Sequence, residues 1–321
     1  MRKNTNTTHI EGRVYQHSLE IKEVKNQSSP NFGKKYIGGV VEVAVDEQGM
    51  NVIPVSFTFV TENTKNGGKN KTYTELMRVI ESGKTWITDG AENATKVSID
   101  TSLGLNDFVA QDGSMVSQKV NQGGFLTVVA ELKDESLRNS FRTDMLITNV
   151  TRIEADAEKH IEEDYVAVRG AIFDFKNALL PVEFVVKNPG GMKYFEDLEA
   201  TSAQPVYTQV WGRINFTTVA TKDKVEAAFG EAAVDVRERK VREWIITGAA
   251  KVPYDFGDEK VMTEEEVMKA SQDRQVYLAE VKKRRDDYLA EKNSATAASA
   301  SAFSSTPTGP AATAPQGKFT F

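Results

Sequence analysis

Segments that read as β-strands recur in the same order along the chain. Residues 10–15 (IEGRVY) are echoed by residues 168–173 (VRGAIF), with one glycine in the same place and aliphatic and aromatic residues after it. The other echoes are residues 145–153 with 244–252 and, more weakly, residues 125–132 with 207–214. Internal repetition constrains a fold more strongly than local propensity does. The sequence therefore predicts two β-rich domains of one architecture.

The length and composition are those of a globular protein with two domains and accessory segments. The chain has 321 residues, of which 40% are hydrophobic and 27% are charged. No apolar run approaches the roughly 18 residues that span a bilayer, and residues 1–8 are too polar for a secretory signal. The absence of cysteine excludes disulfides, thiolate metal sites and cysteine nucleophiles. We therefore expect a cytoplasmic protein with no membrane partner.

Changes in composition divide the chain into six predicted segments. The two β-rich domains are joined by an acidic, polar connector and followed by an acidic segment with a helix and by a tail. The predicted segments are a flexible N-terminus (1–8), a first domain (9–154), a connector (155–164), a second domain (165–256), the acidic segment with the C-terminal helix (257–293) and the tail (294–321).

Three stretches have helical signals. In residues 74–81, Leu76, Val79 and Ile80 share one face, and Gly83 is placed to end the helix. Residues 222–229 are predicted to form a short helix before the last strand of the second domain. Thr263 and Glu266 have the spacing of a capping box, which predicts a helix from there to about Lys292.

Motifs for catalysis or cofactor binding are missing from the sequence. The three histidines, His9, His17 and His160, lack metal-ligand spacing, and no phosphate-binding loop or nucleophile elbow occurs. We therefore expect that the protein is not an enzyme and binds no cofactor or metal. A catalytic site assembled from carboxylates that are distant in sequence is the alternative.

Basic loops in the first domain have the composition of a nucleic-acid site. The net charge is −6, but residues 1–90 contain 12 Lys and Arg against 10 Asp and Glu. A single strand is held by cations that follow its phosphates and by aromatic faces on which its bases stack. Solvated lysines and core aromatics are the alternative interpretation of the same residues. The candidates here are Lys22, Lys25, Phe32, Lys34, Lys35, Tyr36, Lys65, Lys69, Lys71 and Tyr73.

A second candidate pair lies in the second domain. Strand alternation places Trp211 on one face with Arg213 next along it, which would suit a base and its phosphate. A tryptophan in the core of the domain is the alternative.

Taken together, Gly12 and Gly170, about five strands in each copy, a helix before a late strand and basic loops resemble tandem OB (oligonucleotide/oligosaccharide-binding) barrels. Over residues 9–290 the chain is also similar to bacteriophage single-stranded DNA-binding proteins, in the segments 9–60, 207–216, 244–256 and 272–284. The resemblance implies a mainly β fold of two OB-like barrel domains with a C-terminal α-helix and a disordered tail. It also implies sequence-tolerant binding of single-stranded DNA in DNA replication or recombination, in the cytoplasm of an infected bacterial cell.

The tail adds a candidate docking site. Residues 294–316 consist mostly of Ala, Ser, Thr, Pro and Gly and are predicted to be disordered. Bacterial single-strand binders end in acidic residues and a Pro-Phe tip that docks partner proteins. Here Phe319 and Phe321 are present, but Lys318 and Thr320 stand in place of the acids. The resemblance implies that this tip contacts replication or recombination proteins.

Two other functions are compatible with the sequence. The first is a β-rich virion or assembly protein that acts by protein–protein contacts through its helix and tail. The second is a nuclease or another enzyme of an unrecognised type. Binding to oligo-dT at low and high salt distinguishes a strand binder from an assembly protein, because phosphate contacts weaken steeply with salt.

Overall fold

The computed structural model describes residues 4–225, 233–256, 258–259 and 261–302, with side chains omitted at 219–225, 233–237 and 293–302. This part of the chain is dominated by β-strands. The strands are β1 (Asn6–His17), β2 (Glu20–Glu23), β3 (Lys35–Ala44), β4 (Val52–Thr61), β5 (Lys96–Val109), β6 (Met115–Val128), β7 (Asn139–Ile153), β8 (Tyr165–Phe173), β9 (Leu179–Val186), β10 (Val206–Val225) and β11 (Ala233–Ala249). The helices are α1 (Lys71–Ser82), α2 (Trp86–Asp89), α3 (Pro189–Glu196) and α4 (Glu264–Ala302), with a short 3-10 turn at Glu135–Leu137.

Five strands close into a first ring in the order β1–β3–β4–β6–β5 and back to β1. β1 pairs antiparallel with β3 and β5, and β3 pairs antiparallel with β4. β4 and β6 are parallel, and this pairing closes the ring. Along the chain, helices α1 and α2 lie between β4 and β5, which are the third and fourth strands of this ring in sequence order. The short strand β2 pairs with β3 at the edge of the ring.

A second ring repeats this plan with the strands β7–β8–β9–β11–β10 and back to β7. Its closing pair, β9 with β11, is again parallel, and α3 again lies between the third and fourth strands. The two rings therefore share strand order, parallel closure and helix position. This is the connectivity of the five-stranded OB barrel, and the prediction of two OB-like barrels in a mainly β chain is confirmed.

Strand β7 pairs with strands of both rings. Its residues Asn139–Thr143 pair with Asn6–Ile10 of β1, while β7 also pairs with β8 and β10. The sequence prediction placed residues 139–154 in the first domain, whereas strand pairing groups β7 with the second ring. The predicted domain boundaries stay a prediction.

The sequence echoes do not align equivalent strands. Gly12 lies in the first strand of its ring and Gly170 in the second strand of the other, and the echoed residues 145–153 and 244–252 both belong to the second ring. Strands with one buried face all share period-two alternation, which makes short segments look alike. The two glycines share a packing role instead: a Cβ at Gly12 would meet the carbonyl oxygen of Ala44, and one at Gly170 that of Leu146.

Helix α1 ends before Gly83 as predicted, but it begins at Lys71, three residues before the predicted start at Thr74. The side chain of Asn70 accepts a hydrogen bond from the backbone amide of Thr72, which caps the first turn. Leu76 and Val79 are buried in the core of the first ring. Gly83, at φ 60°, ends the helix in the left-handed region that glycine adopts without strain.

The helix predicted at residues 222–229 is wrong in its described part. Residues 222–225 continue strand β10, where Lys222 lies opposite Val236 and Val225 lies opposite Ala233 of β11. The run of threonine and valine before this point favours an extended strand, and cross-strand pairing carries that strand past Lys222. Residues 226–232 lie outside the described part of the chain.

Helix α4 begins with the predicted capping box. The hydroxyl of Thr263 accepts from the backbone amide of Glu266 at 3.3 Å, and the Glu266 carboxylate accepts from the Thr263 amide at 2.9 Å. The helix continues to Ala302, beyond the predicted end at about Lys292. Residues 303–321, including Phe319 and Phe321, lie outside the described residues.

Residues 107–116 and the described residues from 275 onward form a separate unit, in which Arg285 donates to the carbonyl oxygen of Gln111 at 3.2 Å.

Candidate nucleic-acid interface

A bulge between β3 and β4 turns an aromatic side chain out of the first ring. Ile37 lies opposite Val60 and Gly39 lies opposite Phe57, so two steps along β3 match three steps along β4. Val60 and Phe57 both pack against the core despite this odd spacing. The extra residue therefore directs Phe59 to the outer face, where 44% of it is exposed.

Phe59 meets a second aromatic ring on this face. Tyr36 lies opposite Thr61, which shares the outer face with Phe59, and the ring centres of Tyr36 and Phe59 are 4.6 Å apart at an interplanar angle of 40°. On the other side of β3, Lys22 of β2 lies opposite Tyr36. Two aromatic rings and a lysine thus share one exposed patch of sheet.

A lysine-rich hairpin extends β2 and β3 beyond this patch. The amide of Val24 donates to the carbonyl oxygen of Lys34, and the amide of Gly33 donates to that of Val24, so the loop between them is closed as a compact turn. Lys25, Lys34 and Lys35 are exposed along it, and Phe32 in the turn is 53% exposed.

A second lysine-rich hairpin leaves the end of β4, directly after the residue that lies opposite Tyr36. Asn63 bridges to Lys69, and Thr64 donates to the carbonyl oxygen of Gly68, which closes a tight turn with Lys65 at its tip. Lys71 is the first residue of α1 and is exposed like Lys65 and Lys69.

The two hairpins form a positively charged region in an acidic chain. Residues 20–36 and 61–71 contain seven lysines against three glutamates, whereas the net charge of the whole chain is −6. Glu20 is one of the three acids, and its carboxylate pairs with Lys22 at 3.3 Å. The excess of positive charge therefore lies in the two hairpins, next to the ends of β3 and β4 that carry Tyr36 and Phe59.

Tyr73 is the one predicted aromatic of the first domain that the structure turns inward. It lies in the first turn of α1 and packs against the core of the first ring. Because its ring contacts core side chains, Tyr73 does not share the exposed patch of Tyr36 and Phe59.

Trp211 and Arg213 belong to a different surface. Both lie on β10 in the second ring, and they line a groove of about 730 Å³ that none of the seven hairpin lysines lines. Trp211 is half-buried, with the Arg142 guanidinium 5.7 Å from its ring centre. Arg213 donates to Oδ1 of Asn139 at 3.2 Å.

Three residues of these surfaces escape sequence reasoning. Strict alternation would place Phe59 on the same face as the buried Phe57, and only the bulge separates them. Phe125 and Arg142 also line the groove of Trp211. Both residues stand in recognisable patterns, because Phe125 follows two glycines and Arg142 lies between the strand residues Phe141 and Thr143. Neither pattern, however, distinguishes a residue of an exposed groove from one on an ordinary sheet face.

His9 and His17 take part in local structure. His9 Nδ1 lies 2.8 Å from the Asp100 carboxylate, and its Nε2 lies 3.2 Å from that of Glu11. His17 accepts from the Leu19 amide at 3.3 Å, and burial lowers the pKa of its imidazole. Among the described residues, no group of three or more His, Cys, Asp or Glu side chains is placed to hold a metal ion. None of the described helices has both the length and the apolar character that a membrane span requires.

Comparison with known proteins identifies a family and finds distant likenesses among solved structures. The family model named YorF matches residues 4–284. No curated protein matches the chain. Among solved structures, the chain is similar to a deletion mutant of the single-stranded DNA binding protein from Thermus aquaticus, at 13% identity and a TM-score of 0.43, over 80% of this chain and 98% of that one. A likeness at this level carries no inference about the site.

Proposed function

The chain belongs to the YorF family, and we propose that it binds single-stranded DNA on the outer face of β3 and β4. The observation that carries the proposal is the contact between the half-buried Tyr36 and the exposed Phe59, with ring centres 4.6 Å apart, between two lysine-rich hairpins. In OB barrels, the face of the second and third strands and the loop between the first and second strands bind oligonucleotides. Tyr36 lies on the second strand of its ring, Phe59 on the third, and the first hairpin in that loop.

The chemistry of this face suits an unpaired strand. A base stacks on an aromatic side chain through its π face, which is free in a single strand and covered in a duplex. The hairpin lysines supply mobile point charges for phosphates, and such contacts carry no sequence information. Binding is therefore expected to tolerate any sequence and to weaken with salt.

The proposal extends to a biological setting. The protein would cover single strands during bacteriophage DNA replication or recombination, in the cytoplasm of the host cell, and meet other replication or recombination proteins through its tail. It would do so without a catalytic step or a cofactor. The setting and the protein partners are implied by the sequence resemblance, and the lack of catalysis is inferred from the missing motifs.

Fluorescence anisotropy with labelled oligo-dT tests the proposed face. Tyr36→Ala and Phe59→Ala are each expected to weaken binding by about 1–3 kcal/mol, the usual contribution of one base stacked on an aromatic ring. The double variant should lose less than the sum if both rings serve one base, because residues in contact are not additive.

Phe175→Ala is the matched control. Phe175 is 69% exposed in the turn after β8 and lies beside a lysine, with Lys176 Nζ 5.3 Å from its ring centre. It has the chemistry of the candidate face at another place, and its removal should leave affinity unchanged. An equal loss in all three variants, or no binding of oligo-dT by the unchanged protein, would reject the proposal. The second result would favour an assembly protein that acts by protein contacts.

A further inference from the structure

The groove that contains Trp211 lies where β7 joins the two rings. Its walls come from the start of β1, from β5 and β6 of the first ring, and from β7 and β10 of the second. Its volume of about 730 Å³ falls within the range of about 300–1,000 Å³ that is common for small-molecule sites. The groove is thus large enough for a nucleotide, and it is separate from the face of Tyr36 and Phe59.

Phe125 supplies an open aromatic surface in this groove. It lies within β6, yet 74% of it is exposed, more than any other Phe, Tyr or Trp whose side chain the structure describes as exposed. A single exposed phenylalanine needs no special explanation by itself. Here, however, Phe125 lines the same groove as two arginines, Arg142 and Arg213, in addition to apolar side chains.

The first arginine is held in place by a stack of three groups. The indole of Trp211 lies against Gly248, where an added Cβ would come within 2.5 Å of the indole nitrogen. The guanidinium of Arg142 lies 5.7 Å from the centre of the same ring. Gly248 therefore allows Trp211 to lie flat, and Trp211 in turn provides a surface for the cation.

The second arginine is held by a neutral partner. Arg213 donates to Oδ1 of Asn139, and the amide of Asn139 donates to the carbonyl oxygen of Ile214 at 2.8 Å. Within the described residues, neither Arg142 nor Arg213 forms an ion pair. Asp100 is the one carboxylate that lines the groove, and it is hydrogen-bonded to His9. Two positioned guanidinium groups thus lie in the groove without a carboxylate partner.

We propose that this groove is a second nucleic-acid site, which takes one nucleotide with its base on Phe125 and its phosphate at Arg142 and Arg213. Arginine suits phosphate because its planar donors match the phosphate oxygens. The proposal rests on the proposed function, since the nucleotide is taken to be part of the same single strand. A free nucleotide offers the same chemistry, and the experiment separates the two sources.

The test combines affinity with mapping of the contact. Phe125→Ala and Arg142→Gln are measured by anisotropy against short and long oligo-dT, and oligonucleotides that contain 5-iododeoxyuridine are cross-linked and mapped by mass spectrometry. We expect Phe125→Ala to weaken binding of the long oligonucleotide about fivefold to a hundredfold, and we expect cross-links at both Phe125 and the Tyr36–Phe59 face. Phe175→Ala and unchanged melting curves are the controls.

The outcomes separate this site from the proposed function. If oligo-dT binds and Tyr36→Ala weakens it, while Phe125→Ala and Arg142→Gln change nothing, the groove is not a strand site and the function stands. If the unchanged protein does not bind oligo-dT, the proposed function fails first. If thymidine monophosphate binds in a Phe125-dependent way and Phe125→Ala leaves oligo-dT affinity unchanged, the groove serves a free nucleotide and the strand site is rejected.

Discussion

The ammonium group of Lys119 lies 4.5 Å from the ring centre of Trp244, although the two residues belong to different rings. Lys119 extends from β6 of the first ring and donates to the carbonyl oxygen of Glu183 in the second at 2.6 Å. Trp244 is almost fully buried. The first ring thus places a cation over the core of the second. Burial lowers the pKa of Lys119 to about 8, against the opposing effect of Glu183 and Glu243.

This contact predicts that stability depends on pH through Lys119. The unfolded lysine keeps a pKa near 10.5, whereas the folded one titrates near 8. Between these values the unfolded state binds more protons, so the free energy of unfolding should rise with pH. Lys119→Met should remove this rise and be neutral to stabilising at pH 7, by up to about 4 kcal/mol, as for other buried charges replaced by apolar side chains.

Chemical denaturation of both proteins from pH 7 to pH 10 gives the measurement. The free energy of unfolding of the unchanged protein, taken relative to that of Lys119→Met, should increase as the pH rises, because the other titrating groups are common to both. Parallel curves over this range would show that Lys119 is charged and solvated in the folded protein.

Glu47 is predicted to give stability that acid removes. Its carboxylate accepts from Arg138 at 2.6 Å and from Arg13 at 2.7 Å, and the hydrogen bond from Arg138 is the main reason that the pKa of Glu47 lies below its usual 4.5. A carboxylate with a lowered pKa stabilises the fold above pH 4.5, and the contribution is lost as the pH falls through the folded pKa. Glu47→Gln should cost about 1 kcal/mol near pH 7, since Glu47 is partly exposed. Melting temperatures from pH 3 to pH 7 should converge for the two proteins at the acid end, and a constant gap would contradict this role.

The hairpin lysines are predicted to set the salt dependence of DNA binding. Replacing Lys34, Lys35, Lys69 and Lys71 with alanine should weaken binding about equally for all base sequences. Each phosphate contact that is lost should reduce the slope of log affinity against log salt by roughly 0.7. Anisotropy titrations with oligo-dT and a mixed-sequence oligonucleotide over a range of salt concentrations measure both effects.

A control with the same change of charge separates local contacts from net charge. Lys159, Lys193, Lys282 and Lys283 are exposed and lie outside the two hairpins. Their replacement with alanine should leave the slope nearly unchanged. If both sets lower the slope equally, the hairpins do not follow the phosphates.

Local chemistry accounts for what the sequence predicted well. The end of α1 at Gly83 and the start of α4 at Thr263 and Glu266 were predicted because these residues act on backbone groups within a few residues. The lysine hairpins were predictable for the same reason, as turn residues and charges are read locally. The two β-rich domains were predicted from sequence echoes, although these echoes do not align equivalent strands of the two rings.

Long-range pairing accounts for what was missed. Phe59 faces outward only because β4 carries one more residue than β3 at the bulge, and no local pattern shows which strand is its partner. β7 joins the second ring through β8 and β10, although residues 139–154 precede the connector. Trp211 lines a groove whose walls come from strands of both rings, and its role in nucleic-acid binding stays a prediction.

The close approach at Gly12 leads to a prediction about the first ring. A Cβ there would meet the carbonyl oxygen of Ala44 and the side chain of Val43, so the paired strand β3 would have to move away. Gly12→Ala should therefore destabilise the protein by about 1–3 kcal/mol, the usual cost of overpacking a core. Gly68→Ala is the control, because its added Cβ would meet only the Thr64 hydroxyl at 3.7 Å. Urea denaturation of both variants measures the difference, and equal stability would show that β1 and β3 separate at no cost.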